Sequence, residues 1–399
     1  MTTDRQFFTP DANAWCRGLP ASSAVRCGEL LFIAGQVAAD AKLRPQARGD
    51  VRRQARAAFD RIAEILEMAG GGMDDVLEVI AFVADPRDMD AVLAVGAERF
   101  AGEYPAWTLA GMTGTWQPGL LVSIRAIAHL GGGAKTCVTP HTLSWMDGLP
   151  MSAAAGRGDY LFTSGLVAAD RTGRAVCAGD HFAQARYVYD RLKEVMAAAG
   201  SSLDDIVDII AFNHDARGMD AAVDTWCNEV LFDLPVEQGP AYTAIAMTGL
   251  MRIGMVGAYR FVADRSAGPR IATNLPSIHW NGQRNSGATR KAGGRLIGIA
   301  GEVASDGNRN IIGRGDPAAQ AHYCFSQIQG VLERHGAGLE HVVEITSFHK
   351  DIRAWEAVME AASGLFAEGR GPAWTPIGCT GLYLEGYQHE IHALAMLPA

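Results

Sequence analysis

The chain lacks most of the features that fix a protein's class at a glance. No apolar run approaches the roughly 18–20 residues that a membrane span requires, and the opening MTTDRQFFTPDANAWC has no basic stretch leading into an apolar one. A cytoplasmic location and no membrane partner are therefore expected. The seven cysteines are scattered and no CxxC pair occurs. That speaks against a disulfide framework or a zinc knuckle and fits a reducing compartment. There is no HExxH or similar metal-ligand spacing, no GxSxG, no P-loop and no GxGxxG between a strand and a helix. Neither a metal nor a cofactor is expected. Positive charge is also short, at 35 basic residues against 44 acidic ones, a net charge of −9. An acidic surface repels phosphate, and no basic stripe with interleaved aromatics compensates, so nucleic acid is not an expected partner.

What the chain does contain is repetition. Its 399 residues, 48% of them hydrophobic, suit a globular protein of two or three domains. LFIAGQVAAD at 31–40 returns as LFTSGLVAAD at 161–170 and as IGIAGEVASD at 297–306. The same offsets carry Gly49-Asp50 onto Gly179-Asp180 and Gly315-Asp316, and Gln54-Ala55 onto Gln184-Ala185 and Gln320-Ala321. They also carry Phe82 and Asp85 onto Phe212 and Asp215, and then onto Phe348 and Asp351. After about five extra residues in the second copy, around 226–238, Pro105-Ala106 matches Pro240-Ala241 and Pro372-Ala373, and Gly119 matches Gly254 and Gly386. The chain is thus three copies of one unit, at 14–130, 146–263 and 282–397, joined by Gly-, Pro- and Ser-containing linkers at 131–145 and 264–281.

Each copy has one coarse pattern, illustrated by the first. A β-rich segment ends in a small-residue turn at 32–38. A helix then carries Gln54, Ala58, Ile62 and Leu66 at helical spacing, and Gly70–Gly72 ends it. A strand follows at 76–83, then a second helix at 89–100 and two strands at 106–112 and 120–128. The order ββαβαββ makes an α+β layer with helices on one sheet face. On the last strand Val122, Ile124, Ala126 and Ala128 share the helix-facing side, while Arg125 points the other way. Asn213-His214 and His349-Lys350 read as solvated strand ends, and Cys379 as a core filler.

The [IF]-x-[AS]-G-x-V-A-x-D turn, the Gly-Asp before a helix with Gln-Ala, and the Pro-Ala segment before a final strand resemble the RidA/YjgF family. The resemblance implies chorismate-mutase-like α+β domains that assemble as trimers with sheets around a central barrel and ligand clefts between neighbours. Three fused copies would then close one pseudo-trimer within a single chain, with further self-association left open. Chorismatases also contain such units, although three repeats match them less well.

In the family's imine and enamine deaminases an arginine after Pro-Ala holds the substrate carboxylate, and a glutamate on the last strand positions water. The first column here is Trp107, Tyr242 and Trp374, and the second is read as Arg125, Arg260 and His392. Both depart from the deaminase pattern. The aromatics could stack a planar small-molecule substrate, with Gln36 beside them. The third copy is densest in chemistry. Glu302 takes the column of Gln36 and Leu166, and Glu390 and His392 share a strand face.

The expected activity is hydrolysis or deamination at a C–N bond of a small planar metabolite, an imine, enamine or amide-like group, by addition of water. Glu302 or Glu390 would orient or deprotonate the water, and His392 would shuttle the proton. Arg125 or Arg260 would hold an oxyanion or carboxylate. A non-catalytic, ligand-binding pseudo-trimer is the alternative. A cyanuric acid hydrolase/barbiturase-like ring amidohydrolase fits less well, because no Ser–Lys pair recurs in register.

Overall fold

The computed structural model describes residues 4–277 and 283–398. The start of the third unit at 282 and the last part of its linker lie outside the described residues. In the first unit the strands are β1 (Arg5–Phe8), β2 (Ala24–Cys27), β3 (Leu30–Gln36), β4 (Val76–Val83), β5 (Ala106–Gly111) and β6 (Val122–His129), with helices α1 (Val51–Met68) and α2 (Met89–Ala97). The second has β7 (Thr136–Val138), β8 (Ala154–Arg157), β9 (Tyr160–Thr163), β10 (Leu166–Val167), β11 (Ile206–Asn213), β12 (Ala241–Ala246) and β13 (Gly257–Asp264), with α3 (His181–Ala198) and α4 (Arg217–Thr225). The third has β14 (Arg270–Thr273), β15 (Ala288–Lys291), β16 (Leu296–Glu302), β17 (Val342–His349), β18 (Ala373–Gly378) and β19 (His389–Met396), with α5 (Pro317–Glu333) and α6 (Trp355–Ser363).

Three tandem α+β units are therefore present, and each adds a leading strand to the expected ββαβαββ order. Two of these leading strands, β7 and β14, lie within the segments read as linkers, where short β-forming stretches (TCV and RIAT) pair with β8 and β15 at the sheet edges. The first and third sheets share one order, β1-β2-β3-β6-β4-β5 and β14-β15-β16-β19-β17-β18. The second follows it with β9 and β10 sharing the place of β3. Among the described strands the parallel pairs are β4–β5, β11–β12 and β17–β18.

Local chemistry explains why the elements begin where they do. Gly49, Gly179 and Gly315 all have positive φ, between 77° and 82°, and each turns the chain into an aspartate that caps the next helix. Asp50 accepts from the Arg53 amide, Asp180 from Ala183, and Asp316 from Ala318 and Ala319. The glutamine four residues further on fixes that helix to the last strand. Gln54 donates to the Gly119 carbonyl and accepts from the Leu121 amide, and Gln184 and Gln320 repeat the arrangement at 254–256 and 386–388.

Opposite the helices, the inner faces of the three sheets pack on one another in layers. One apolar layer joins Phe32, Phe162, Leu296, Ile127, Val262 and Leu394. Another holds Phe82, Phe212 and Phe348, whose rings meet pairwise at 5.9, 6.2 and 6.3 Å. Cys379 is buried in that second layer, a core filler as expected. Contacts between units close a ring. Ala106 bridges to Ser152, Ala241 to Ser286, and Ala373 back to Ser22.

Candidate functional site

Between the two apolar layers lies a layer of charge. Arg260 donates to both oxygens of Glu78, at 2.6 and 2.9 Å, and pairs with Asp208. Arg125 bonds Glu344 at 2.6 Å, Thr346 at 2.8 Å and Glu78 at 3.1 Å. His392 meets Asp208 at 2.9 Å. All six titratable residues are 0–1% exposed. Burial works against the charge on Asp208, but His392 and the two guanidiniums outweigh it and hold its carboxyl below the ordinary range. Burial likewise opposes the charge on Arg260, and Glu78 and Asp208 overcome it, so its pKa rises.

Arg125, Arg260 and His392 are thus not cleft residues, contrary to the expectation from the sequence. Their column faces the central axis and is consumed by carboxyls of neighbouring units. The reason is depth: inward-facing residues two apart on one strand lie in successive layers. The cleft-facing position is one inward step earlier, at Ser123, Ala258 and Glu390.

The aromatic column also divides three ways. Trp107 is 1% exposed and packs beneath the helices against Phe59 and Phe100, at 5.8 and 6.3 Å. It therefore offers no wall to a ligand. Its cleft, between units one and two, has Leu166 and Ala258 at the polar columns. One continuous apolar core runs through it from Ala24 to Ala263. Trp374 and Gln36 come together in a recess between units three and one, crowded by Trp15, Trp116 and Trp355. Gln36 is spent there on Asn13, at 2.7 Å, and on the Ala34 carbonyl, at 2.8 Å. The indole of Trp374 donates to Ser347, which also meets His349 at 2.9 Å. His349 and Asn213 are both fully buried rather than solvated, because the β17 and β11 ends tuck beneath the following helices.

The third cleft, between units two and three, is open. It encloses about 640 Å³ of empty space, its open mouth included, between Tyr242 and Ala244 of β12, Asp220, Val223 and Asp224 of α4, and Gly301, Val303 and Glu390 of the third unit. Asn285, Arg309 and Tyr383 complete the rim. Tyr242 does not stand as a free ring. Its hydroxyl lies 3.1 Å from that of Tyr189, which stacks on Tyr259 at 5.3 Å.

Glu390 is only 5% exposed yet lines this cleft. No hydrogen bond or ion pair reaches its carboxyl from any described residue. Gly301 makes room for it, since a Cβ there would lie 2.0 Å from Glu390 Oε1. Burial first, and then the charge of Glu302, raise the Glu390 carboxyl well above the ordinary carboxylate range. Glu302, 2% exposed, stands beside the cleft rather than in its lining, and its Oε1 has no partner. Burial pushes its pKa up to about 8. The structure thus brings Glu390 and Tyr242 to one cleft with Glu302 beside it, and it separates them from Trp374, Trp107 and His392. The sequence reading passed over Asp220, Asp224 and Arg309. Asp220 did not stand out because its column is acidic in all three units, with Asp90 and Glu356 at the same place, whereas Arg309 replaces Leu43 and Gly173 in this cleft alone.

Among the described residues no group of three or more His, Cys, Asp or Glu could hold a metal ion, and no helix is long and apolar enough to cross a membrane.

Comparison with known proteins agrees with the three-unit reading. The profile of the family described as endoribonuclease L-PSP matches three times, at 19–130, 149–255 and 285–397. The RutC family protein YjgH of Escherichia coli is 37% identical over 111 residues, which is 27% of this chain and 82% of that protein. A 2-iminobutanoate/2-iminopropanoate deaminase of Dermatophagoides farinae is 29% identical over 93 residues, 23% of this chain and 73% of that protein. Among solved structures, a chorismatase superposes with a TM-score of 0.52 at 14% identity, covering 81% of this chain and 93% of its own. Its fold extends over more of this chain than three repeats alone suggested.

Proposed function

The chain belongs to the endoribonuclease L-PSP family, the RidA/YjgF family, and from that premise we propose that it is a divergent RidA-like hydrolase or deaminase of C–N bonds with a single working cleft, between its second and third units. The observation that carries this reading is the pair of buried carboxyls, Glu390 in the cleft, to which no described residue donates, and Glu302 beside it, whose Oε1 has no partner among the described residues. A desolvated carboxyl held in its neutral form is suited to general acid catalysis near neutral pH.

In the proposed reaction a planar imine lies between Tyr242 and Glu390. The neutral Glu390 carboxyl gives its proton to the imine nitrogen. The resulting carboxylate takes a proton from water as the water oxygen bonds to the imine carbon. The same group then returns that proton to the nitrogen of the tetrahedral adduct. The C–N bond breaks as the carboxylate takes the adduct's hydroxyl proton, leaving a carbonyl product, ammonia and a neutral Glu390. Glu302 acts through Glu390: as pH rises past about 8 and Glu302 ionises, its charge holds Glu390 in the neutral, proton-donating form. The name of the mite relative supports this class of reaction, since that protein is an imino-acid deaminase.

Turnover should be measured with imine, enamine and cyclic amide substrates. Glu390→Gln keeps the shape and removes the proton transfer, so kcat should fall about 10²–10⁴-fold. Glu302→Gln should move the alkaline limb of the pH profile, where Glu390 ionises, to lower pH rather than abolish activity. Wild-type-like turnover and pH profile in both variants would sink the assignment. Ligand binding with no turnover in the wild type would favour the non-catalytic alternative.

A further inference from the structure

We propose that the cleft between the second and third units selects a flat ligand carrying a positively charged nitrogen, such as an amidinium, a protonated imine or an aromatic ammonium, and rejects carboxylates. The proposal rests on the reading of this cleft as the working site and specifies what it admits.

The lining supplies three carboxyl groups, Asp220, Asp224 and Glu390, against one guanidinium, Arg309. Arg309 is exposed and lies over the ring of Tyr383, 5.9 Å from its centre, at the rim. Asp220 and Asp224 sit one turn apart on α4 and face the mouth. Glu390 closes the far side without a partner among the described residues. A carboxylate entering this space would lose water and meet the like charges of Asp220 and Asp224 at the mouth, with no cation among the described residues at the floor. A bound cation would let Glu390 ionise beside it, supplying a counter-charge that no described residue provides.

The walls agree with the charge. Tyr242 and Tyr383 present aromatic surface, which attracts a flat cation through the ring quadrupole. Tyr242 stands where the deaminases of the family place a carboxylate-holding arginine. Its hydroxyl is turned to Tyr189, so it gives an anion nothing to bind. The arrangement is particular to one cleft, because the places of Glu390 are taken by Ser123 and Ala258 in the other two.

Benzamidine, benzamide and benzoate share one ring and differ in charge, and their binding to the full-length protein can be compared by isothermal titration calorimetry. Benzamidine should bind at least about tenfold more tightly than benzamide, and benzoate should give no heat. Asp220 and Asp224 lie on an exposed helix surface, so the double variant D220N/D224N should fold normally. It should weaken benzamidine about tenfold and flatten its salt dependence, as the loss of two attractive charges requires. Benzoate binding as tightly as benzamidine would overturn the proposal. So would the absence of benzamidine binding, or its indifference to D220N/D224N. These readouts do not involve catalysis. Benzamidine binding in a protein without turnover would refute the hydrolase and leave the charge preference standing. Glu390-dependent turnover without benzamidine binding would do the reverse.

Discussion

At the residue scale, Glu302 is costly to the fold, and that cost has a testable pH signature. The unfolded chain releases its proton near pH 4.5, whereas the buried side chain keeps it to about pH 8. Between those limits the folded protein holds a proton that the unfolded chain has lost. Stability therefore falls as pH rises through this window and levels off above it. Each unit of displacement corresponds to roughly 1.4 kcal/mol. Glu302→Gln removes the penalty, so its melting temperature should exceed that of the wild type at pH 8 and match or fall below it at pH 4. A difference independent of pH would show that Glu302 is ionised in the fold. This residue was legible in the sequence as a break in a repeat column that is otherwise Gln or Leu, and Glu390 as a charge on the inward face of the last strand beside His392. Their companions were not. His392 shares the face of Glu390 but lies one layer deeper, and Trp374 belongs to the neighbouring cleft. Alternation along a strand gives side, not depth. Which unit completes a cleft is set by the order of the ring.

At the scale of the element, two motifs that recur in the sequence prove to be fasteners of each long helix. The Gly-Asp pair starts the helix, and the Gln of Gln-Ala ties its first turn to the loop before the last strand. In the third unit that loop runs through Gly386 and Gln388 directly into β19, which carries Glu390. Gln320→Leu leaves the Gly386 carbonyl and the Gln388 amide without their side-chain partner, at about 1–3 kcal/mol for buried groups. Asp316→Ala removes only a cap, at about 1 kcal/mol. Urea denaturation should show both losses. Only Gln320→Leu should also speed amide exchange at 388–390 and weaken ligand binding in the cleft. Equal effects on binding from the two variants would place the influence in global stability instead. The helix, its cap and the strand it faces were readable from periodicity and repeat. The tie itself was visible only as a conserved spacing between copies, since its partners lie about 66 residues away and are backbone atoms that a sequence does not distinguish.

For the whole molecule, the question is whether three units make three domains or one. Repetition showed three, and the sheet order of each follows from its own pattern. The interior argues for one cooperative body. Phe82, Phe212 and Phe348 come from different units and share one contact. The charge layer is likewise divided, since Arg260 of the second unit holds Glu78 of the first, and His392 of the third meets Asp208 of the second. None of these partnerships exists in a unit taken alone, where the same faces would expose phenylalanine and unpaired carboxylates to water. Arg260→Met leaves Glu78 and Asp208 buried without their shared cation, a loss of roughly 3–5 kcal/mol. Tryptophans report on every unit, with Trp107 in the first, Trp226 in the second and Trp374 in the third. If the interior is one body, fluorescence and far-ultraviolet circular dichroism should give a single coincident unfolding transition in the wild type, and Arg260→Met should move all of it to lower denaturant. If only part of the signal moves and a second transition stays in place, the first or third unit folds without the shared layer. The cleft between units two and three would then have to survive on two units alone.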